Sequence, residues 1–150
     1  MASDTRRLSG RDVPAMRNLL AVFAQAFEDP DNYESQPPSD AYLHAFLDRV
    51  DVIVLTTSNE SDAVVGGLVG YVLTKFEQER SEVYIYDLAV AQTHRRRGIA
   101  TRLIDELRSI AREIGAYVIY VQADPPDAPA VALYESVGTR EEVYHFDILV

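Results

Sequence analysis

Residues 82–114 constrain the chain most. An apolar run, 83–90, ends in a short polar turn. Arg95, Arg96, Arg97 and Gly98 follow, and an amphipathic helical pattern starts at once. Strand, glycine-containing loop and helix N-terminus, in that order, build an anion site. The first amides of a helix have no intrahelical partners, and the helix dipole adds partial positive charge there. Three adjacent cations strengthen it. The residues alone therefore point to a phosphate-bearing ligand.

That site sits in a chain with a formal charge of −10. Nucleic acid is a poor partner for such a surface, because binding it relies on neutralising phosphates. A small polycation is a better one, since clustered carboxylates raise its local concentration. Acidity for solubility alone is the competing explanation. The chain has no cysteine, which removes disulfides, thiolate metal sites and a cysteine nucleophile. His44, His94 and His145 are not spaced as a metal set, so no metal is expected. No apolar run approaches the roughly 20 residues of a membrane span. The first 13 residues show no apolar signal segment, and cytoplasmic residence is the expectation. The 150 residues are read as one domain, 1–150.

The periodicity predicts a helix over 12–27, where Met16, Leu19, Leu20, Phe23 and Phe27 recur at three- and four-residue spacing. A loop rich in Pro, Asp and Glu covers 28–40, and a loop that long in a compact domain is more often functional. A short helix runs to about Arg49. Strands are expected over 52–57 and 63–76 as a hairpin, then over 83–90. A helix over 100–114 stops at Gly115, and a strand covers 117–123. The chain breaks at 124–127, forms a helix over 129–137 and closes with a strand over 141–149. The strand–helix–strand unit implies a parallel pair with a right-handed crossover, beside antiparallel hairpins. The expected class is α/β (α+β), a mixed central sheet with a parallel strand–helix–strand core flanked by helices.

These residues carry a resemblance. Arg95-x-x-Gly98-x-Ala100 matches the Q/R-x-x-G-x-G/A acyl-CoA signature of the GNAT superfamily of N-acetyltransferases. Ala130-x-x-Leu133-Tyr134-Glu135 with Gly138 resembles that superfamily's later A-x-x-L-Y-E-x-x-G element. Segments 75–78, 80–90, 94–101, 115–124, 129–134 and 140–148 look like the type I aminoglycoside 3-N-acetyltransferases, the gentamicin-modifying group. That resemblance implies a GNAT fold and acetyl transfer from acetyl-CoA to the 3-amino group of the 2-deoxystreptamine ring. It also implies a homodimer. The rivals are the same fold acting on another amine, such as a polyamine or a protein terminus, and a non-catalytic acyl-CoA- or antibiotic-binding module.

The resemblance assigns the CoA pyrophosphate to the amides and side chains of Arg95, Arg96, Arg97, Gly98, Ile99, Ala100 and Thr101. It implies a bulge near residues 86–90, with the Leu88 amide polarising the thioester and pantetheine pairing along Leu88, Ala89 and Val90. Tyr134 aligns with the tyrosine that protonates the departing thiolate. Asp127 stands where the superfamily often carries an asparagine. Asp87 is a carboxylate in an apolar strand, costly to bury alone. It either faces an acceptor cleft, where it accepts the amine proton, or joins a structural ion pair. Asp124, at the end of the next strand, and Asp147, an odd charge in the last strand, are expected to bind ammonium groups. Glu142, Glu28 and Asp29 are further candidates.

Overall fold

The computed structural model describes residues 4–150, which divide into two compact units, 4–120 and 121–150. In the first, Asp4–Arg7 (β1), Val52–Ser58 (β2), Val64–Thr74 (β3), Ser81–Val90 (β4) and Ala116–Val121 (β5) form one mixed sheet in the order β1-β2-β3-β4-β5. The last residue of β5 opens the second unit. The first four strands are antiparallel neighbours. The helix Ile99–Glu113 (α4) joins neighbours β4 and β5, as a parallel crossover requires.

β2 is apolar at consecutive positions because both sheet faces are covered. Val52 and Val54 join a core with Leu19 and Phe23 of Val13–Ala26 (α1) and Leu43 and Leu47 of Asp40–Leu47 (α3). The alternate residues Ile53 and Leu55 are equally buried, and α4 contacts β2, β3 and β4. α4 buries Ile99, Leu103, Ile104, Leu107 and Ala111, one helical face. Gly67 in β3 permits the close approach of α1. A Cβ there would lie 2.6 Å from Leu19 Cδ1 and 2.5 Å from the Leu55 carbonyl oxygen.

Three differences from the expected elements stand out. β1 was not expected, because its sequence DTRR shows no apolar alternation. It forms as an edge strand by backbone pairing, from Asp4 opposite Ser58 to Arg7 opposite Leu55. The acidic loop contains one helical turn, Pro30–Tyr33 (α2), capped by Asp29.

The third concerns the second unit, which consists of a loop, the helix Ala128–Val137 (α5) and the stretch 138–150. The strand expected over 141–149 is absent: no residue from 139 to 150 is in a strand. Tyr144 is 91 % exposed, Phe146 81 % and Ile148 88 %. The segment has the alternating pattern of a strand, but propensity without strand pairing does not form one.

Candidate functional site

β4 carries the centre of the site. Val69 of β3 faces Asp87, and the next residue, Gly70, faces Ile85, so Tyr86 is an extra residue in β4. This is the bulge expected from the resemblance, and it interrupts the alternation just before Asp87, Leu88, Ala89 and Val90. Val83 and Ile85 point into the core, while Tyr86 is exposed. Leu88 lies opposite Leu68 and is half-buried; Ala89 and Val90 lie opposite Gly67 and Gly66 and are buried.

Asp87 is half-buried and no cation pairs with it among the described residues. It accepts a hydrogen bond of 2.7 Å from the Tyr33 hydroxyl. Of the two readings left open for Asp87, the structural ion pair therefore has no partner here. Burial raises its pKa above the usual carboxylate value, and the Tyr33 bond pulls it partly back. The Tyr33 phenol is held well above its ordinary range by burial and by the Asp87 carboxylate.

Tyr33 is the residue that sequence reasoning missed. It ends α2 in the acidic loop, and its ring packs edge-on against Phe23 with centroids 5.9 Å apart. The loop thus reaches β4 through one anchored phenol. A lone aromatic in a polar, acidic loop was the available signal, but nothing in the sequence names a partner 54 residues away. In the same loop Asp29 spends one carboxylate oxygen on the Asn32 amide, 3.2 Å away. Glu28 is exposed and adopts a positive φ of 52°.

Past β4 the chain makes a 3-10 turn, Gln92–His94, and enters the arginine loop. Arg96 has φ 61° and Gly98 φ 76°, which flank Arg97 with left-handed backbone and curve successive amides into a concave nest. Gly98 is the N-cap of α4 and its side makes no capping bond, so the Ile99, Ala100 and Thr101 amides open the helix uncapped. Arg95 Nε donates to the Val90 carbonyl at 3.1 Å, which ties the loop to the end of β4. Arg96 and Arg97 are exposed. Among the described residues no carboxylate forms a salt bridge with Arg95, Arg96 or Arg97, although acids outnumber bases in the chain. Three cations left beside a positive helix end repel one another unless an anion joins them. The geometry fits a phosphate group.

Glu82, nearer the strand start, accepts from the Tyr117 hydroxyl of β5 at 2.5 Å and pairs with Lys75 at 3.3 Å. Its pKa is lowered, first by the Tyr117 bond and then by Lys75. It works as a link between β4 and β5. The one concavity described on the α1–α3 side, lined by Val13, Pro14, Arg17, Asp40, Ala41 and His44, contains none of these residues.

In the second unit, Asp124 lies in the loop beyond β5 rather than at a strand end, and its carbonyl accepts from the Asp127 amide at 2.9 Å. Asp127 caps α5 by accepting from the Ala130 amide at 3.2 Å. Tyr134 lies half-buried on α5. Glu142 pairs with Arg140 at 3.2 Å, and Asp147 with His145 Nε2 at 2.9 Å; both carboxylates are exposed. Asp147 is therefore not an inward-facing strand residue as expected. No group of three His, Asp or Glu that could hold a metal occurs among the described residues. Among the described residues no helix is long and apolar enough to cross a membrane.

A bulged strand feeding an anion nest on a helix start defines the class: an acyl-CoA-type transferase fold. Residues 15–139 match the acetyltransferase (GNAT) family, and the chain belongs to it. Its fold superposes on an aminoglycoside acetyltransferase from an uncultured soil metagenomic sample. The TM-score is 0.97 and the identity 51 %, over 100 % of this chain and 99 % of that one. A second soil-metagenomic aminoglycoside acetyltransferase, solved in complex with sisomicin, is 31 % identical with TM-score 0.91, covering 99 % of this chain and 96 % of its own. The catalytic subunit NAA10 of the N-terminal acetyltransferase A complex of Arabidopsis thaliana is 30 % identical over 113 residues, 73 % of this chain and 50 % of its own. The chain spans about half the length of the curated relatives it matches.

Proposed function

We propose that this protein is an aminoglycoside 3-N-acetyltransferase acting as a single catalytic domain. It moves the acetyl group of acetyl-CoA onto the 3-amino group of the 2-deoxystreptamine ring of gentamicin-type antibiotics, and so confers resistance in the cytoplasm, as a homodimer. The observation that carries the reading is Asp87: a half-buried carboxylate without a cation, held by Tyr33, immediately before the strand end that leads to the unpaired arginines. An ammonium group would supply the missing cation. The likeness to two aminoglycoside acetyltransferases, one holding sisomicin, supports the acceptor class.

The chemistry assigned to these residues is direct transfer with both substrates bound. Amides 96–101 and the arginines hold the CoA phosphates, and β4 residues Leu88, Ala89 and Val90 align pantetheine. Asp87 takes a proton from the substrate ammonium, directly or through water. The freed amine nitrogen bonds to the thioester carbonyl carbon. The Leu88 amide stabilises the resulting oxyanion. The carbon–sulfur bond then breaks, Tyr134 gives its phenolic proton to the thiolate, and the second proton of the acylated nitrogen passes through water to restore the phenol. Asp124, Asp147, Glu142, Glu28 and Asp29 are assigned to the remaining ammonium groups, and Asp127 to the cofactor side through its cap of α5.

The second reading is an acetyltransferase of peptide N-termini, favoured by the Arabidopsis relative. One assay separates them: CoA-thiol release in the presence of gentamicin, spermidine or N-terminal peptides. The expected outcome is release with gentamicin and acetyl found on the 3-nitrogen by NMR. Release with peptides alone overturns the antibiotic assignment. Acetyl-CoA binding without turnover on any amine leaves a binding module instead.

A further inference from the structure

The bulge in β4 has a second effect. Tyr84 of β4 faces Tyr71 of β3, and Asp87 faces Val69. Val69 and Tyr71 are two residues apart and point to the same side of β3, so Tyr84 and Asp87 share a side as well. Regular alternation would put them on opposite faces. The shared face is the one that α1 and α3 cover, since Val69 is in the core with Leu19 and Leu43, and Tyr71 packs against that core. From Tyr71 a row of tyrosine rings continues across the sheet, away from α3. Tyr71 meets Phe46 of α3 edge-on with centroids 6.3 Å apart, and Tyr86 on its other side at 5.8 Å. Tyr86 meets Tyr84 at 5.9 Å, and Tyr84 stacks on Tyr120 of β5 at 4.7 Å with planes 7° apart. The row spans three neighbouring strands, roughly 10 Å. Tyr86, the extra residue of the bulge, stands at its middle and is 60 % exposed.

We propose that this row is the floor of the acceptor site, on which Tyr86 holds an aminated sugar ring of the antibiotic while Asp87 holds the amine to be acetylated. The inference rests on the aminoglycoside reading and names the residue that selects glycosylated acceptors. Four features favour such an occupant. The face of an aromatic ring is negative and attracts an ammonium group within about 6 Å of its centroid. The row is electrostatically continuous with Asp87. Burial first, then the neighbouring phenols and the Asp87 carboxylate, raises the pKa of Tyr71 and of Tyr84, so both rings stay neutral and the carboxylate lies within reach of both. The cation whose field reaches Tyr71, Arg49, is spent on Asp51 through hydrogen bonds of 2.9 and 2.8 Å. Finally, a tyrosine joins an apolar face to a polar tip, which suits a sugar ring with C–H faces and hydroxyl edges. An apolar protein surface would desolvate the Tyr86 hydroxyl without replacing its water.

The test uses the full chain and compares gentamicin with 2-deoxystreptamine, which keeps the 3-amine and lacks the sugar rings. Tyr86→Leu removes the aromatic face and keeps apolar bulk, while Tyr86→Phe keeps the face. By calorimetry, Tyr86→Leu is expected to bind gentamicin roughly three- to thirtyfold more weakly, the range of a cation held on an aromatic face. Tyr86→Phe should stay within about twofold of the native chain, and Tyr86→Leu should lose less than about twofold toward 2-deoxystreptamine. The chain has nine Tyr and no Trp, so tyrosine emission reports the rings directly. Gentamicin should change that emission, and Tyr86→Leu should shrink the change. A native thermal midpoint and native acetyl-CoA affinity show that each variant folds. Equal losses for the two ligands overturn the floor, as does a Tyr86→Phe chain that binds gentamicin as weakly as Tyr86→Leu. Emission that responds to dilution of the chain and not to gentamicin means that a second copy covers the face, and overturns it too. Calorimetry needs no turnover, so the two readings fail separately. Gentamicin bound without thiol release sinks the transfer reading while the variants still decide the floor. Thiol release with unchanged gentamicin affinity in Tyr86→Leu sinks the floor alone.

Discussion

Asp87 is a carboxylate in an apolar strand, and burial there demands a partner. The chain supplies a phenol from a distant loop, not a cation, and that pairing no local pattern encodes. The pairing has opposite consequences for stability and rate. Burial raises the folded-state pKa of Asp87 above its unfolded value. Its proton therefore favours the folded state below the usual carboxylate range, and that contribution is lost as pH rises through the raised value. Catalysis needs the ionised form, so kcat/KM should rise with pH over the same window. Tyr33→Phe removes the hydrogen bond that favours the charged form. A bond to a charged group contributes about 1.5–3 kcal/mol. The acid limb of kcat/KM for gentamicin is expected to move to higher pH, with the plateau kcat little changed. A limb that stays in place would show that the phenol does not act on the ionised carboxylate.

At the scale of elements, legibility followed local pattern. The strand before the arginines, the helix after them and the glycine between were all readable, because backbone geometry there is set by adjacent residues. The two failures had one cause in opposite directions. β1 forms from polar residues because β2 offers an edge, while 141–149 has strand-forming residues and no strand pairing. Neither is visible to a reading that scores each segment alone. The arginine loop carries its own prediction. Gly98 sits at φ 76°, which an alanine adopts at a cost of roughly 1–2 kcal/mol. Gly98→Ala is expected to lower the melting temperature by several degrees and to raise KM for acetyl-CoA. Arg96→Ala with Arg97→Ala should raise that KM about tenfold and leave the fold intact, since both side chains are exposed. Equal acetyl-CoA affinity in the arginine variant would remove these side chains from the phosphate site.

For the whole molecule, net charge was the plainest message in the sequence, and its use depends on where the compensating cations stand. Arg6, Arg17, Arg49, Lys75, Arg80, Arg108 and Arg140 are engaged with carboxylates. Arg95, Arg96 and Arg97 are not among them. The net field is therefore negative with a local positive patch at that loop, an arrangement suited to drawing in a polycation while retaining a polyanion. Salt separates the two tasks. Long-range attraction between exposed charges is screened beyond roughly 8 Å at physiological ionic strength and roughly 3 Å at 1 M. With acetyl-CoA held at saturation, raising sodium chloride from about 0.05 to about 0.5 M should lower kcat/KM for gentamicin by about tenfold or more, mostly through KM. An acceptor amine bearing a single positive charge should lose much less across the same range. The expected ratio follows from the number of ammonium groups that the acidic surface attracts. If both acceptors lose activity in parallel, the acidity serves solubility alone, and the acceptor is held by short-range contacts such as the one offered by Asp87.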